Sequence, residues 1–154
     1  IGECCAYLKN RGIKITEYLE SIFRQYGYYD DRNVSIDAEG LKGGEVIGEV
    51  MKKFREKPPI EIGGCRVVET TDYKFDTVTD SVQGGSPLPK SNVIKYLLED
   101  ESTVTVRPSG TEPKIKFYFS AKSTSRMKTD AKLDRMIDDL IPGVKNFIEM
   151  KIRQ

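Results

Sequence analysis

From residue 34 onward, strand-like and helix-like hydrophobic patterns follow one another in an order that few folds accommodate. Strands are predicted at 34–36, 62–70, 93–98, 103–106 and 114–120, and amphipathic helices at 43–55 and 125–141. In the last strand, Ile115, Phe117 and Phe119 alternate with polar residues, which is typical of a strand with one buried face. Two amphipathic helices among such strands favour an α+β fold, in which both helices cover one face of an antiparallel sheet.

Residues 1–33 follow a different pattern. A helix is predicted from Thr16 to Tyr26, ended by Gly27, and the polar stretch Tyr28–Asn33 is expected to form a turn. We therefore place a domain boundary in that stretch, which divides the chain into residues 1–33 and 34–154.

The charge balance and the absence of histidine exclude several functions. The chain has 25 Lys+Arg, 24 Asp+Glu and no histidine, so catalysis by a Ser-His-Asp or Cys-His set is excluded. A net charge of +1 argues against a strongly basic nucleic-acid-binding domain. No apolar run is long enough to cross a bilayer, and three cysteines without a secretory signal suit the cytoplasm.

One segment between two predicted strands has the composition of an anion site. Arg107 offers a guanidinium fork, and Ser109 and Thr111 offer hydroxyl donors. Gly110 allows a positive φ, with which successive N–H groups can face one anion. The alternative interpretation is a tight turn closed by a surface ion pair between Arg107 and Glu112.

Other polar clusters are interpreted as solvated surface. Asp72, Asp76 and Asp80 lack the spacing of a calcium loop, and the basic run 52–57 is interspersed with glutamates. The lysines of the strand 114–120 could suggest a nucleic-acid surface, but the alternation places its phenylalanines on the opposite face.

The run from Thr105 to Tyr118 resembles the phosphate-binding signature of the C-terminal domain of the α-D-phosphohexomutases, which include phosphoglucomutases and phosphomannomutases. Shorter supporting stretches occur in the expected order along the chain, at 7–12, 16–27, 58–59, 62–64, 72–73 and 91–93.

The resemblance implies a four-domain, Mg²⁺-dependent enzyme with a phosphoserine on the first domain. No Ser-His-Asn-Pro nucleophile loop, Asp-Gly-Asp metal loop or Gly-Glu-x-Ser sugar loop occurs in this chain. It therefore resembles the fourth domain (34–154), preceded by the closing helix of the third domain and a hinge (1–33). The implied fold is a four-stranded antiparallel sheet flanked by two helices, similar to the TATA-box-binding protein.

The implied activity is the reversible movement of phosphate between the 1- and 6-positions of a hexose, through a phosphoserine enzyme and a bisphosphate intermediate. This domain would close the active site and bind the phosphate that does not react, with no catalytic or metal residue of its own. The resemblance places these binding residues at Arg107, Ser109, Gly110, Thr111 and Lys114.

The resemblance also implies partners and cofactors. Mg²⁺ and an activator of the glucose 1,6-bisphosphate type serve the full-length enzyme, and neither is expected to bind this fragment, which should be inactive alone. Its partners are a sugar phosphate and the three missing domains, with no nucleic acid and no membrane. The alternatives are a phosphopentomutase or phosphoglucosamine mutase domain, a non-catalytic anion-binding module and a nucleic-acid-binding sheet.

Overall fold

The computed structural model of the chain describes residues 1–76, 79–80 and 86–153. The order of elements is α1 (Gly2–Asn10), α2 (Ile15–Tyr26), β1 (Tyr28–Asp37), α3 (Gly43–Glu56), β2 (Glu61–Ile62), β3 (Cys65–Asp72), β4 (Thr79–Asp80), β5 (Ser86–Pro87), β6 (Ile94–Leu98), β7 (Thr103–Pro108), β8 (Lys114–Ser123) and α4 (Arg126–Ile152). The expected α+β class is therefore confirmed.

The main sheet has six strands, not the expected four. Its order is β1-β8-β7-β6-β3-β2, and every neighbouring pair is antiparallel. One extra strand arises because Gly63 and Gly64 both have positive φ, 61° and 79°, which reverses the chain. The strand predicted at 62–70 therefore becomes the hairpin β2–β3. Strands β4 and β5 form a separate two-stranded ladder in a segment predicted to be loop.

The sequence predicts a turn for the polar stretch Tyr28–Asn33. In the structure this stretch is instead the first half of β1, which pairs with β8. Two of its residues bond to groups that are distant in the sequence. The Tyr28 carbonyl accepts a hydrogen bond from Thr129 Oγ1 (2.9 Å), and the Arg32 guanidinium bonds to Asp130 and Asp134 of α4. The composition of this segment favours a turn, but contacts with residues far away in the sequence stabilise it as a strand.

The core lies between one face of the sheet and the helices α3 and α4. The predicted inward residues Ile115, Phe117 and Phe119 are fully buried, and α3 buries Val46, Ile47, Val50 and Met51. The other face of the sheet, which carries Lys116 and Tyr118, is not covered in this way, and its side chains are exposed or half-buried. We call it the open face.

The sequence predicts that the last long helix ends just before Pro142. In the structure α4 instead continues through Pro142 to Ile152. Proline removes one backbone hydrogen bond and crowds the preceding turn. Burial of Ile141, Val144 and Ile148 on both sides of Pro142 offsets that cost, because these residues pack into the same core.

The N-terminal helices contribute little to this core. Leu8 is the buried residue of α1, and α2 has none, although Tyr18, Leu19 and Tyr26 lie on its surface. None of the helices in the described part of the chain combines the length and apolar composition that crossing a bilayer requires.

Candidate functional site

The segment predicted to bind an anion is the loop 109–113 between β7 and β8, which we call the β7–β8 loop. Its ends are closed by a hydrogen bond from the Ser109 N–H to the Lys114 carbonyl (2.8 Å). Its last residue is tied to the end of β1, because the Pro113 carbonyl accepts a hydrogen bond from the Ala38 N–H (2.7 Å). The loop is therefore held from two directions before any ligand binds.

Hydrogen-bond donors gather at this loop without partners in the described residues. Arg107 is exposed on the open face and makes no ion pair there, and Gly110 and Thr111 are exposed at the tip. The N–H groups of Gly110, Thr111 and Glu112 have no acceptor in the described part of the chain. A guanidinium and consecutive N–H groups are the donors that an anion such as phosphate takes.

Gly110 does not adopt the positive φ that the sequence suggested. A Cβ placed there would meet no atom within 4 Å. The positive φ that a glycine permits is therefore not used at this position, and the glycine leaves open space at the loop tip instead.

Lys114 is engaged by acidic neighbours rather than directed at an open site. Its ammonium lies 3.1 Å from Glu112 and 3.3 Å from Asp37, and hydrogen bonds to these two carboxylates raise its pKa. The turn interpretation supposed an ion pair between Glu112 and Arg107. In the structure Glu112 pairs with Lys114 instead. The resulting cluster ties the end of the β7–β8 loop to the end of β1.

Helix α3 approaches the loop through Gly43. A Cβ on this residue would lie 2.0 Å from the Ala38 carbonyl oxygen and 2.8 Å from Pro113 Cβ. No other residue fits at such separations, so glycine sets how closely α3 packs against the loop.

A cleft of about 180 Å³ lies between α3 and the β7–β8 loop. Its lining includes Asn92, whose Oδ1 accepts a hydrogen bond from Arg55 Nη2 (2.7 Å). The same guanidinium donates through Nε to Asp72 Oδ2 (2.6 Å), and the two paired side chains are only 19% and 15% exposed. Burial raises the pKa of Asp72, but the hydrogen bonds from Arg55 and from the Lys74 N–H outweigh it, so the pKa is lowered overall.

This pair corrects two predictions. Arg55 and Asp72 were interpreted as solvated residues, but they form a part-buried ion pair beside the cleft. The helical spacing from Met51 to Arg55 was the missed signal, because it places the arginine next to the buried face of α3.

The described residues do not fit the Mg²⁺ that the resemblance implies. No three His, Cys, Asp or Glu side chains converge as metal ligands in residues 1–76, 79–80 and 86–153. The Asp76 carboxylate accepts the Asp72 N–H (2.6 Å), and the side chain of Asp80 lies outside the described residues.

Comparison with known proteins gives a consistent result. Residues 64–136 match the family model of the phosphoglucomutase/phosphomannomutase C-terminal domain. A phosphoglucomutase of Staphylococcus aureus (strain bovine RF122 / ET3-1) is 40% identical over 136 residues, which cover 84% of this chain and 24% of the relative. A phosphoglucomutase of Staphylococcus saprophyticus is 38% identical over 116 residues, covering 73% and 21%. The chain thus spans less than a quarter of the length of these relatives.

A solved structure shares the fold. It is the open form of the exocytosis-sensitive phosphoprotein pp63/parafusin, a phosphoglucomutase from Paramecium, with a TM-score of 0.58 and 18% identity. The similarity covers 92% of this chain and 25% of that one. With the β7–β8 loop lying inside the matched residues, the family model and the curated relatives support the assignment of the chain to the C-terminal domain of the phosphoglucomutase and phosphomannomutase family.

Proposed function

We propose that this chain is the phosphate-binding domain of a phosphohexomutase, which reversibly moves phosphate between the 1- and 6-positions of a hexose. The observation that carries the proposal is the β7–β8 loop, where the Arg107 guanidinium and the N–H groups of Gly110 and Thr111 have no partner among the described residues, with the Ser109 side chain next to them in the chain. In the proposed reaction a phosphoserine enzyme and a bisphosphate intermediate transfer the phosphoryl group.

The loop acts on the phosphate that is not transferred. A mutase works at one end of the sugar while the other end must stay fixed, and the intermediate then turns around. A phosphate monoester carries about −1.5 to −2 charges near neutral pH, which a guanidinium and several N–H groups match. A site that contacts only the phosphate can bind the bisphosphate intermediate in either orientation, because it makes no contact with the attached sugar. Its contribution is remote binding energy and orientation rather than bond chemistry.

We propose for Lys114 a supporting part in this site. Its two carboxylate partners largely neutralise its charge, so it holds the loop in position while Arg107 supplies the net positive charge. Closure of the domain over the substrate completes the site.

The remaining machinery belongs to the proposed full-length enzyme. The nucleophilic serine, Mg²⁺ and an activator of the glucose 1,6-bisphosphate type would act on other domains, so no step of that chemistry is assigned to residues described here. We expect no turnover from this chain alone. A cytoplasmic location is part of the same proposal, because Cys4, Cys5 and Cys65 are unpaired thiols, as a reducing compartment favours.

The domain division is also a proposal, in which residues 1–33 hold the closing helix of the preceding domain and a hinge. The pairing of Tyr28–Asn33 with β8 supports a boundary nearer Gly27, where φ is 102°. The absence of buried residues on α2 supports its assignment to a neighbouring domain.

Glucose phosphates are the favoured substrates. The relatives reported above carry the name phosphoglucomutase, which favours glucose over pentose or glucosamine phosphates. No observation favours a non-catalytic anion-binding module.

The test uses the full-length gene product and a coupled assay that converts glucose 1-phosphate to glucose 6-phosphate. Arg107→Ala should raise KM at least tenfold, because it removes a charge-assisted hydrogen bond to phosphate worth about 1.5–3 kcal/mol. Lys122→Ala, a change of equal charge at the far end of β8, is the control and should leave KM within twofold. An unchanged KM in Arg107→Ala would contradict the proposal, as would an inactive parent enzyme.

A further inference from the structure

A second cleft lies between helices α3 and α4, and we call it the α3–α4 groove. It has a volume of about 220 Å³, and its apolar lining is formed by Val50, Phe54, Pro59, Leu140, Val144 and Phe147. Val50 and Val144 are buried, whereas the other four side chains are half-buried. Lys53, which also lines the groove, lies about 15 Å along α3 from Gly43, so the groove is separate from the β7–β8 loop.

A glycine in α4 leaves room for this groove. Leu140, Gly143 and Phe147 line it and are three or four residues apart, so they share one side of the helix. A Cβ on Gly143 would meet no atom within 4 Å, so no packing contact requires a glycine there. Glycine is unfavourable inside a helix, and a local cost without structural compensation is typical of a functional site. An occupant of the groove would account for Gly143.

Two lysines at the edge of the groove carry positive charges that no carboxylate balances in the described part of the chain. Lys53 and Lys57 line the groove and are exposed. The carboxylates beside them, Glu49 and Glu56, are engaged by other lysines at 2.7 and 3.7 Å. The Lys53 ammonium lies 4.7 Å from the centre of the Phe147 ring, which places its charge directly against the apolar lining.

We propose that the α3–α4 groove binds a small aromatic carboxylate, with its ring against the apolar lining and its carboxylate between Lys53 and Lys57. The two lysines are four residues apart on one helix face, so both ammonium groups can reach one carboxylate. Two positive charges beside an apolar surface are complementary to an anion with an apolar body.

The size and polarity of the groove favour this class of ligand over others. A space of about 220 Å³ is smaller than the clefts of about 300–1,000 Å³ that bind drug-sized molecules, so it suits a single ring with a short chain. Phe54 and Phe147 offer the ring edges and faces on which aromatic groups pack. A carboxylate carries one charge, and its transfer to an apolar surface costs less than that of a doubly charged phosphate.

The test measures the binding of hydrocinnamate to the full-length gene product by ligand-detected NMR at constant ionic strength. Hydrocinnamate has a phenyl ring and a carboxylate; hydrocinnamyl alcohol keeps the ring without the charge, and propanoate keeps the carboxylate without the ring. We expect hydrocinnamate to bind about threefold to tenfold more tightly than the alcohol, and propanoate to show no saturable binding. Equal affinities of hydrocinnamate and either matched ligand would overturn the inference.

The lysines are tested together. The double variant Lys53→Gln/Lys57→Gln should weaken hydrocinnamate binding about threefold to tenfold and leave the affinity for the alcohol within about twofold, because only the charge is removed. The matched control is Lys128→Gln/Lys145→Gln, which removes the same two charges from exposed positions of α4 outside the groove. Equal losses in the two double variants would mean a general effect of net charge and would overturn the inference.

The glycine is tested by filling the groove. Gly143→Leu should abolish the binding of both hydrocinnamate and the alcohol, because the leucine side chain takes their place. It should unfold at the parent's temperature or above it, since leucine favours the helix more than glycine does. Asn146→Leu, at an exposed position of α4 outside the groove, should bind as the parent does. Undiminished binding in Gly143→Leu would overturn the inference.

Two other occupants of the groove would give different results. If another domain of the full-length protein covers the groove, the folded protein binds no hydrocinnamate. If a second copy covers it, the parent binds no hydrocinnamate and Gly143→Leu changes the mass measured by sedimentation. Either result would overturn the inference. Phosphate binding at Arg107 is measured separately, so the proposed function stands or fails by its own test.

Discussion

The two faces of the sheet are built from alternate residues of the same strands, and they have different roles. On β8, Ile115, Phe117 and Phe119 point into the core and are fully buried. Their neighbours Lys116 and Tyr118 point to the open face and are exposed or half-buried. One strand therefore contributes to stability through every second residue and to the candidate site through the others.

This difference means that binding and folding can be altered separately. A ligand site on the open face is supported by a core that it does not share, so charges there can be arranged for phosphate without disturbing the packing. The β7–β8 loop is where the two faces meet, because α3 of the covered face packs against it at Gly43.

The largest expected effect is on the covered face. Phe117→Ala should lower the free energy of unfolding by about 3–5 kcal/mol, because it leaves a cavity among α3, α4 and the sheet. Urea unfolding measures the loss. Ser120→Ala, on the open face of the same strand, should change stability by less than about 0.5 kcal/mol. Equal losses in the two variants would contradict the division between the faces.

The next effect is at the contact between α3 and the loop. Gly43→Ala should cost about 2–3 kcal/mol, because its Cβ would overlap the Ala38 carbonyl and Pro113. The neighbouring variant Gly44→Ala is the control: its Cβ meets nothing within 4 Å, and alanine should stabilise the helix by up to about 1 kcal/mol. Stability changes of the same sign would contradict the close packing at Gly43.

A smaller effect is expected on acidification. Burial raises the pKa of Asp100, but hydrogen bonds from Lys132 and Ser102 outweigh it and lower the pKa to about 2. A carboxyl whose pKa is lower in the folded state stabilises the fold above its unfolded value, here 3.8, and loses that contribution as the pH falls towards 2.

We therefore expect unfolding experiments between pH 5 and 2 to show a loss of about 2 kcal/mol from this group. Asp100→Asn should be less stable than the parent near neutral pH and should lose correspondingly less on acidification. Asp138→Asn, an exposed position on α4, should keep the pH dependence of the parent. Parallel curves for Asp100→Asn and the parent would contradict the assigned role of the Asp100–Lys132 pair.

The sequence predicted those elements whose pattern is local. The alternation around Phe117 was sufficient to predict a strand, and the apolar stripe of α3 was sufficient to predict a helix, because each hydrophobic pattern repeats within a single element. The prediction failed where contacts between residues far apart in the sequence determine the local structure. Arg32 is held by two aspartates of α4, and Pro142 is tolerated because its neighbours pack into the core.

The candidate site divides in the same way. The positions of Arg107 and its loop followed from the motif, since they are consecutive in the chain. The pairing of Lys114 with Asp37 depends on the register of β1 and β8, which no single segment encodes. The ion pair of Arg55 with Asp72 likewise depends on how α3 lies over the sheet.

The central claim, that the β7–β8 loop binds phosphate, is tested most directly by a residue-resolved titration. Amide shifts of the chain are recorded as inorganic phosphate is added at constant ionic strength. We expect saturable shifts concentrated in residues 107–116, led by the Gly110 and Thr111 N–H groups, and their loss in Arg107→Ala. Saturable shifts that map elsewhere, or none at all with a folded chain, would contradict the claim.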